Sequence, residues 1–565
     1  MRKRTFAPGI LFLVIALAVP ALIIAQQNRS ARRTLPGTAP AGSSATSKLG
    51  PTSTAIKGDL AEALAVIQSN HIDGKKLDYN GIFKTSITSM LSVLDPHSTY
   101  FDPAEFAAFR TEQRSEYLGI GATIEDLRDG SDVNTYIRAT FPDSPAARAG
   151  LRFGDRILAV DGNSMKGKTY PEVRKFLLGP RGTTVKVTVE HPATKLTETV
   201  NIVRDAVSLP SIAQSYMLKP GVGYVAMTGG FNTTTADEFE MALKELHGKG
   251  MNMLVLDLRG NRGGLLFQAV RVANQFLQRG QMIVSQKGRF RDSSQSYAAV
   301  NENPDNVAVV ILVNGDTASA AEIVAGALQD HDRALIVGET TFGKGLVQFP
   351  FQLDYESALL LTIAKYFTPS GRLIQRDYSN GGYNYYFPGG LAADKSNQAN
   401  PQTGPQSRTD TGRAVYGGGG IAPDEVVKPG LISAAERQLR DVTFAFALEL
   451  TTGRVPGFEQ YKVQRAIEFD HDLVNEDFPV TDALFRELKK FAANKPNFKG
   501  SPEQLDKWRT FAERQLRYNV LSAAYGFRTA TQVFNDDDPQ ISRAVDAMPR
   551  ARELAQAASR ARARG

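Results

Sequence analysis

Val307-Ala308-Val309-Val310-Ile311-Leu312-Val313-Asn314-Gly315-Asp316-Thr317-Ala318-Ser319-Ala320-Ala321-Glu322-Ile323 is the stretch on which the fold turns. Its first seven residues form an apolar run without alternation, rich in β-branched side chains. Such a run reads as a strand buried on both faces, which favours a parallel sheet covered by helices. Asn-Gly-Asp breaks the run, and from Ser319 the apolar positions Ile323, Val324, Ala327 and Leu328 share one face of a helix. The same alternation extends outward over residues 221–350. Gly223 to Met227, Met253 to Leu258 and Ala334 to Val337 read as strands. Thr234 to Leu246, Leu265 to Phe276 and Ser319 to Gln329 read as helices.

The strand–turn–helix places Ser319 at a helix N-terminus. There its hydroxyl and the neighbouring N–H groups meet the positive end of the dipole. An oxyanion formed at that point gains fixed donors, with Ala320 N–H the natural one. Taken alone, Ser319 reads first as a plain N-cap, a common use of serine. Asp257-Leu258-Arg259-Gly260-Asn261-Arg262-Gly263-Gly264 is a second strand running into paired glycines. Gly264 N–H is available there as a second donor, although a tight strand–helix turn uses the same residues. Lys344 follows in Gly338-Glu-Thr-Thr-Phe-Gly-Lys-Gly345. At an ordinary pKa near 10.4 it is protonated and no base, but burial beside Phe342, Leu346 and Val347 lowers that value. Gln348 is placed to hold the amine. A neutral lysine can take the Ser319 proton and return it to a leaving amine; a solvated surface lysine is the plain alternative. Gly338 to Lys344 also approximates a phosphate loop, but position 345 is glycine where a magnesium-binding hydroxyl is required. There is no Gly-x-Ser-x-Gly elbow, and nothing positive supports a triad through His331.

Cysteine is absent from the 565 residues, which excludes disulfides and thiolate chemistry. The six histidines show no metal-ligand spacing, so no metal or organic cofactor is implied. The net charge of +7 sits largely in the N-terminal Arg-Lys-Arg, the Arg32–Arg33 pair and the tail after Arg550, which argues against nucleic-acid binding. Residues 1–27, a basic start and an apolar run, read as an export signal or membrane anchor, placing the rest beyond the inner membrane, periplasmic or tethered. Residues 28–55 read as a flexible tether. Residues 56–112 read as a helical segment, with Leu60, Leu64, Ile67 and then Ile82, Ile87, Leu91 and Leu94 on helical faces. A β-rich module over 113–205 follows. Residues 378–412 read as an irregular insertion. Residues 431–565 read as helical, with starts at Ser501-Pro502 and Asp538-Pro539.

Taken in order, these segments resemble the carboxyl-terminal processing peptidases, tail-specific serine proteases of family S41. The resemblance runs from about Ile56 to Asp424. It rests on Leu94-Asp-Pro-His-Ser, Tyr117-Leu-Gly-Ile-Gly-Ala, Ser144-Pro-Ala through Gly162, Asp257 to Gly264, Gly315 to Gln348, Tyr366-Phe-Thr-Pro-Ser-Gly-Arg and Gly418-Gly-Gly-Ile-Ala-Pro-Asp424. It implies a multidomain α+β protein: helical N-terminal segment, PDZ domain (113–205), α/β protease core of crotonase/ClpP-like type (206–430) and helical C-terminal region. It further implies Ser319 as nucleophile, Lys344 as base, Gln348 as its orienting partner and Gly264 and Ala320 as oxyanion donors. Asp330 carries an auxiliary or structural role. Ala321 departs from the family, which often has a second serine there. The PDZ resemblance makes Leu118-Gly119-Ile120-Gly121 the loop that holds a peptide's terminal carboxylate while the peptide adds a strand to the sheet edge. Expected partners are protein substrates recognised by their C-termini. The tail is open to a role in self-association, adaptor binding or simple core packing. A PDZ scaffold that binds tails without cleaving them is the rival reading.

Overall fold

The structure is a computed structural model. It describes residues 52–129, 132–379, 404–430, 432–463, 467–469, 471–495 and 502–563. The expected export segment and all but the last residues of the tether lie outside these. Among the described residues no helix is long and apolar enough to cross a membrane. The chain divides into two units, residues 1–78 and 79–565. In the first, Thr52 caps a helix over Ser53–Asn70, starting slightly before the expected end of the tether. Its apolar positions Ile56, Leu60 and Ile67 are exposed.

The second unit is built on a six-stranded sheet in the order Gln214–Lys219, Val222–Ala226, Met253–Asp257, Ala308–Val313, Ala334–Gly338, Glu425–Val426. The first pairing is antiparallel and the rest are parallel. The unbroken apolar runs have the expected cause: both faces are covered. Val309, Ile311 and Val313 pack with helices Thr235–Gly248, Leu266–Asn274 and Ala320–Asp330. Val310 and Leu312 point the other way, onto Ile541, Ala544, Met548 and Ala551 of helices Pro539–Asp546 and Met548–Arg562. The C-terminal residues therefore form the second covering layer of this sheet.

Beside it lies an antiparallel sheet of Thr99–Phe101, Ala358–Phe367, Met282–Gly288, Gln295–Ala298 and Leu346–Gln352. The pairing of Thr99–Phe101 with Ala358–Phe367 draws the Asp95–Ser98 turn to the strand that follows Lys344. Of residues 378–412, expected to be irregular, 380–403 lie outside the described residues, and Gln406–Arg408 instead forms a hairpin with Ala414–Tyr416.

Strands Ala122–Asp129, Asp132–Thr140, Arg156–Val160, Thr184–Glu190 and Thr197–Val203 form a separate sheet closed by helix Tyr170–Leu177 around Ile137, Ile157, Val173 and Val187. Its outer face meets the C-terminal helices Ala434–Thr451 and Arg509–Thr531 through Leu127, Tyr136 and Phe153. There the Arg138 guanidinium lies 4.5 to 5.7 Å from the ring centres of Tyr518, Phe444 and Phe153 and donates to Asn519.

Candidate active site

The chain arrives at Ser319 from the strand Ala308–Val313 through a turn held by its own side chains. Asn314 N–H donates to Thr317 Oγ1 (3.0 Å), and the Thr317 hydroxyl donates to the Leu258 carbonyl (2.8 Å). Ser319 has φ 55° and ψ −116°, left-handed for a residue with a side chain. Such strain costs on the order of 1–3 kcal/mol and persists only where the surroundings enforce it. Here the enforcing group is Glu322. Its carboxylate accepts the Ser319 N–H (2.8 Å), so the glutamate, not the serine hydroxyl, caps the helix. Ser319 occupies the N-cap position without using its hydroxyl as a cap.

Glu322 is fully buried and also accepts from Thr341 Oγ1 (2.5 Å), Gly343 N (2.7 Å) and Lys344 N (2.8 Å). One carboxylate thus ties the serine turn to the lysine loop. Burial pushes its pKa up to about 7, against the pull of its four donors. Sequence reasoning missed it, although Ser-Ala-Ala-Glu is a capping-box pattern. Tyr366 adds a second tie. Its hydroxyl lies 3.0 Å from the Ser319 carbonyl oxygen and 2.7 Å from that of Lys344.

The Lys344 side chain keeps some solvent contact, yet burial lowers its pKa to about 8, with Asp95 and Glu322 opposing the shift. The amine donates to Gln348 Oε1 (2.6 Å), and Gln348 Nε2 donates to the His97 carbonyl (2.7 Å). His97 is held neutral: burial first, and then the Lys344 charge, push it down to about 3. Asp95 is pinned by His97 N, Ser98 N and Ser98 Oγ at 2.6 to 2.8 Å.

Gly263 and Gly264 bring the third segment in. Gly263 has φ 93°, and a Cβ there would lie 2.7 Å from Ser319 Cβ and 2.8 Å from Ala320 N. Gly264 has φ 141°, and its Cβ would lie 2.2 Å from the Phe231 carbonyl oxygen. No residue with a side chain fits either position. Gly263 N–H is taken by Asn261 Oδ1 (2.9 Å). The N–H groups of Gly264 and Ala320 find no acceptor among the described residues. The fold therefore brings together Ser319, Ala320, Lys344 and Gln348, with the glycine loop at Ser319.

Asp330 is placed elsewhere. It ends the helix that Ala320 begins, some 15 Å away by helical rise. Its carboxylate accepts from Ser370 N (3.0 Å), Ser370 Oγ (2.7 Å) and the buried Arg372. Of the expected Leu118–Gly121 loop, Leu118 and Gly119 instead end the strand Glu116–Gly119, paired with Asp205–Ser208, and Ile120 and Gly121 lead into the separate β-module. Ile120 and Gly121 carbonyls accept from Ala146 N (2.7 Å), Phe141 N (3.0 Å) and Ser144 Oγ (2.9 Å). The following strand Ala122–Asp129 pairs only with Asp132–Thr140 among the described residues, leaving its other edge open.

The sequence model of peptidase family S41 matches residues 221–380, and that of the PDZ domain matches 136–191. The chain is 37% identical over 327 residues to the carboxy-terminal-processing protease of Bartonella bacilliformis, covering 56% of this chain and 71% of that one. It is 36% identical over 289 residues to the carboxyl-terminal-processing protease of Picosynechococcus, covering 50% and 68%. Among solved structures, the photosystem II D1 C-terminal processing protease is similar at 32% identity, covering 55% of this chain and 88% of that one, with a TM-score of 0.32. The PDZ domain of the Vibrio cholerae carboxy-terminal protease, solved with a peptide, is 33% identical over 17% of this chain and 99% of that domain, TM-score 0.15. The chain thus belongs to the carboxy-terminal processing proteases of peptidase family S41 and carries their PDZ domain.

Proposed function

We propose that the chain is a serine endopeptidase in which Ser319 is the nucleophile and Lys344 the general base. The observation that carries this reading is the Lys344 amine, depressed to about 8 by burial and hydrogen-bonded to Gln348 in the loop that Glu322 ties to Ser319. At neutral to mildly alkaline pH a useful fraction of that amine is uncharged. It takes the Ser319 hydroxyl proton as the oxygen attacks the substrate carbonyl carbon. The resulting oxyanion accepts from Gly264 N–H and Ala320 N–H, which have no protein acceptor among the described residues. The lysine then gives its proton to the leaving amine as the C–N bond breaks. An acyl ester remains on Ser319, and water, deprotonated by the same amine, releases it.

The substrates are proteins with accessible C-termini, taken by strand addition along the open edge of Ala122–Asp129 with the terminal carboxylate at Leu118–Gly121. The basic start and apolar run of residues 1–27 support a site of action outside the inner membrane, free or tethered, among envelope proteins. The test is cleavage of an unfolded protein with and without its last few residues, by wild type and Ser319→Ala. Cleavage by wild type that falls with the shortened substrate and vanishes in the variant supports the reading. Equal cleavage by Ser319→Ala refutes the nucleophile, and indifference to the tail refutes the selection.

A further inference from the structure

The Asp257–Gly264 segment carries a guanidinium that joins the end of a sheet strand to partners outside the sheet. Arg259 Nε reaches both oxygens of Asp257 (2.9 and 3.0 Å), and Nη2 reaches Oδ2 (2.6 Å). The Asp257 carboxylate also accepts from the Tyr224 hydroxyl (2.8 Å). Arg259 Nη1 turns to the C-terminal region, 2.6 Å from Asp538 Oδ2 and 2.8 Å from Gln540 Oε1. Asp538 caps the Pro539–Asp546 helix with its other oxygen, accepting from Gln540 N and Ile541 N. Gln540 is fixed in turn by a bond to the Val427 carbonyl (2.6 Å). The side chains of Arg259 and Asp538 are 18% and 20% exposed, so solvent weakens this pair little.

Two residues beyond Arg259 the loop reaches Asn261, which is fully buried. Asn261 Nδ2 donates to the Met227 carbonyl (2.6 Å), Oδ1 accepts from Gly263 N, and its carbonyl accepts from Ala318 N (2.9 Å). Gly260 N donates to Asn314 Oδ1 (3.0 Å). The loop between Arg259 and Gly264 therefore sets both Gly264 and the residue preceding Ser319. Three of its members, Gly260, Gly263 and Gly264, have positive φ, so the segment has little stiffness of its own. Its position is set jointly by these bonds, by those of Phe231 N–H to the Gly263 carbonyl (2.8 Å) and Leu265 N–H to the Phe231 carbonyl (2.7 Å), and by the grip at the Arg259 end.

We propose that Asp538 is a positioning residue for the oxyanion donors: it anchors Arg259, and through the Arg259–Gly264 loop holds Gly264 N–H in register with the Ser319–Ala320 turn. This gives a part of the chain beyond the matched family segments a share in catalysis, and it rests on the Ser319 reading above. The α-helical tail is then both a layer of the core and a brace for the loop that stabilises the tetrahedral intermediate.

Asp538→Ser and Asp538→Glu test it. Serine keeps the helix cap but is too short to reach Arg259; glutamate keeps a carboxylate for Arg259 and weakens the cap instead. Steady-state cleavage of an unfolded protein, Tm, and affinity for a peptide aldehyde, whose hemiacetal oxygen occupies the oxyanion position, are measured for each. The expected result for Asp538→Ser is a fall in kcat of about ten- to a hundredfold with KM nearly unchanged. The aldehyde weakens in parallel, and Tm stays within a few degrees. Asp538→Glu retains most of the rate per folded molecule, with a lowered Tm. Arg259→Lys, which keeps the charge but loses the fork, shows the same split from the loop side. An unchanged kcat in Asp538→Ser, a fall matched by lost folded protein, or an equal fall in kcat per folded molecule in Asp538→Glu overturns the proposal. Ser319→Ala run alongside separates the two claims. If it stays active the nucleophile assignment fails and takes this role with it. If it is dead while Asp538→Ser is normal, only the role of Asp538 fails.

Discussion

Lys344 carries two opposed demands. In the proposed mechanism its amine must be uncharged to act, and the burial that makes it so disfavours the folded state whenever the amine is protonated. With a folded value of about 8 against 10.5, the unfolded chain binds more protons between those values. The neutral lysine's contribution to stability is therefore fully present above about 10.5 and is lost as pH falls through 8. Below pH 8 the buried ammonium costs about 3 kcal/mol. Lys344→Met is accordingly expected to abolish cleavage and to raise Tm at pH 7, checked by differential scanning calorimetry beside an activity assay. Glu322 is the residue on which both loops depend. In Glu322→Gln one of the oxygens that each accept two donors becomes an NH2 group facing them. The expected loss is about 1–3 kcal/mol of stability, together with at least tenfold in kcat, read from denaturant unfolding and steady-state rates.

At the scale of the element, helix Ala320–Asp330 separates chemistry from support. Its N-terminus holds Ser319 in a strained turn; its C-terminus holds Arg372 and the Thr368–Gly371 turn through Asp330. Asp330 and Arg372 are each 1% exposed, so Asp330→Ala leaves a buried cation short of its partner. The expected cost is about 3 kcal/mol or more, seen as a lowered Tm, with kcat per folded molecule retained. A kcat loss at full stability would instead give Asp330 a part in the chemistry. Much of this element was legible beforehand. The unbroken run Val307 to Val313, the turn residues and the helical face of Ile323, Val324, Ala327 and Leu328 have a single consistent reading. Gly264, Ala320, Lys344 and Gln348 could be named as candidates because each stands beside an obvious turn or strand, and the structure places them near Ser319. Glu322 was not, because its importance lies in contacts with Gly343 and Lys344, some twenty residues away in sequence. The hairpin at 404–416 was also missed: its strands are three residues each and lie among turn residues.

Within residues 79–565, the C-terminal region covers two surfaces. Its helices cover the outer face of the PDZ sheet at Phe153 and the back of the protease sheet at Val310 and Leu312. No pattern in those helices announces which surface they cover, since an amphipathic helix fits any apolar face. Removing residues 539–565 would bare Val222, Val255, Val310, Leu312 and Val337 together. The truncated chain is expected to aggregate or to lose its cooperative unfolding transition, monitored by calorimetry and light scattering. A soluble, cooperatively folding truncation would show that the layer is dispensable. For the intact chain, the most direct measurement is the pH dependence of Ser319 acylation under single-turnover conditions, with the adduct located by mass spectrometry. The account predicts a rate that rises with pH to a plateau, half-maximal near pH 8, on an adduct carried by Ser319. A rate already flat from pH 6, a midpoint near that of free lysine, or an adduct on another residue would contradict it.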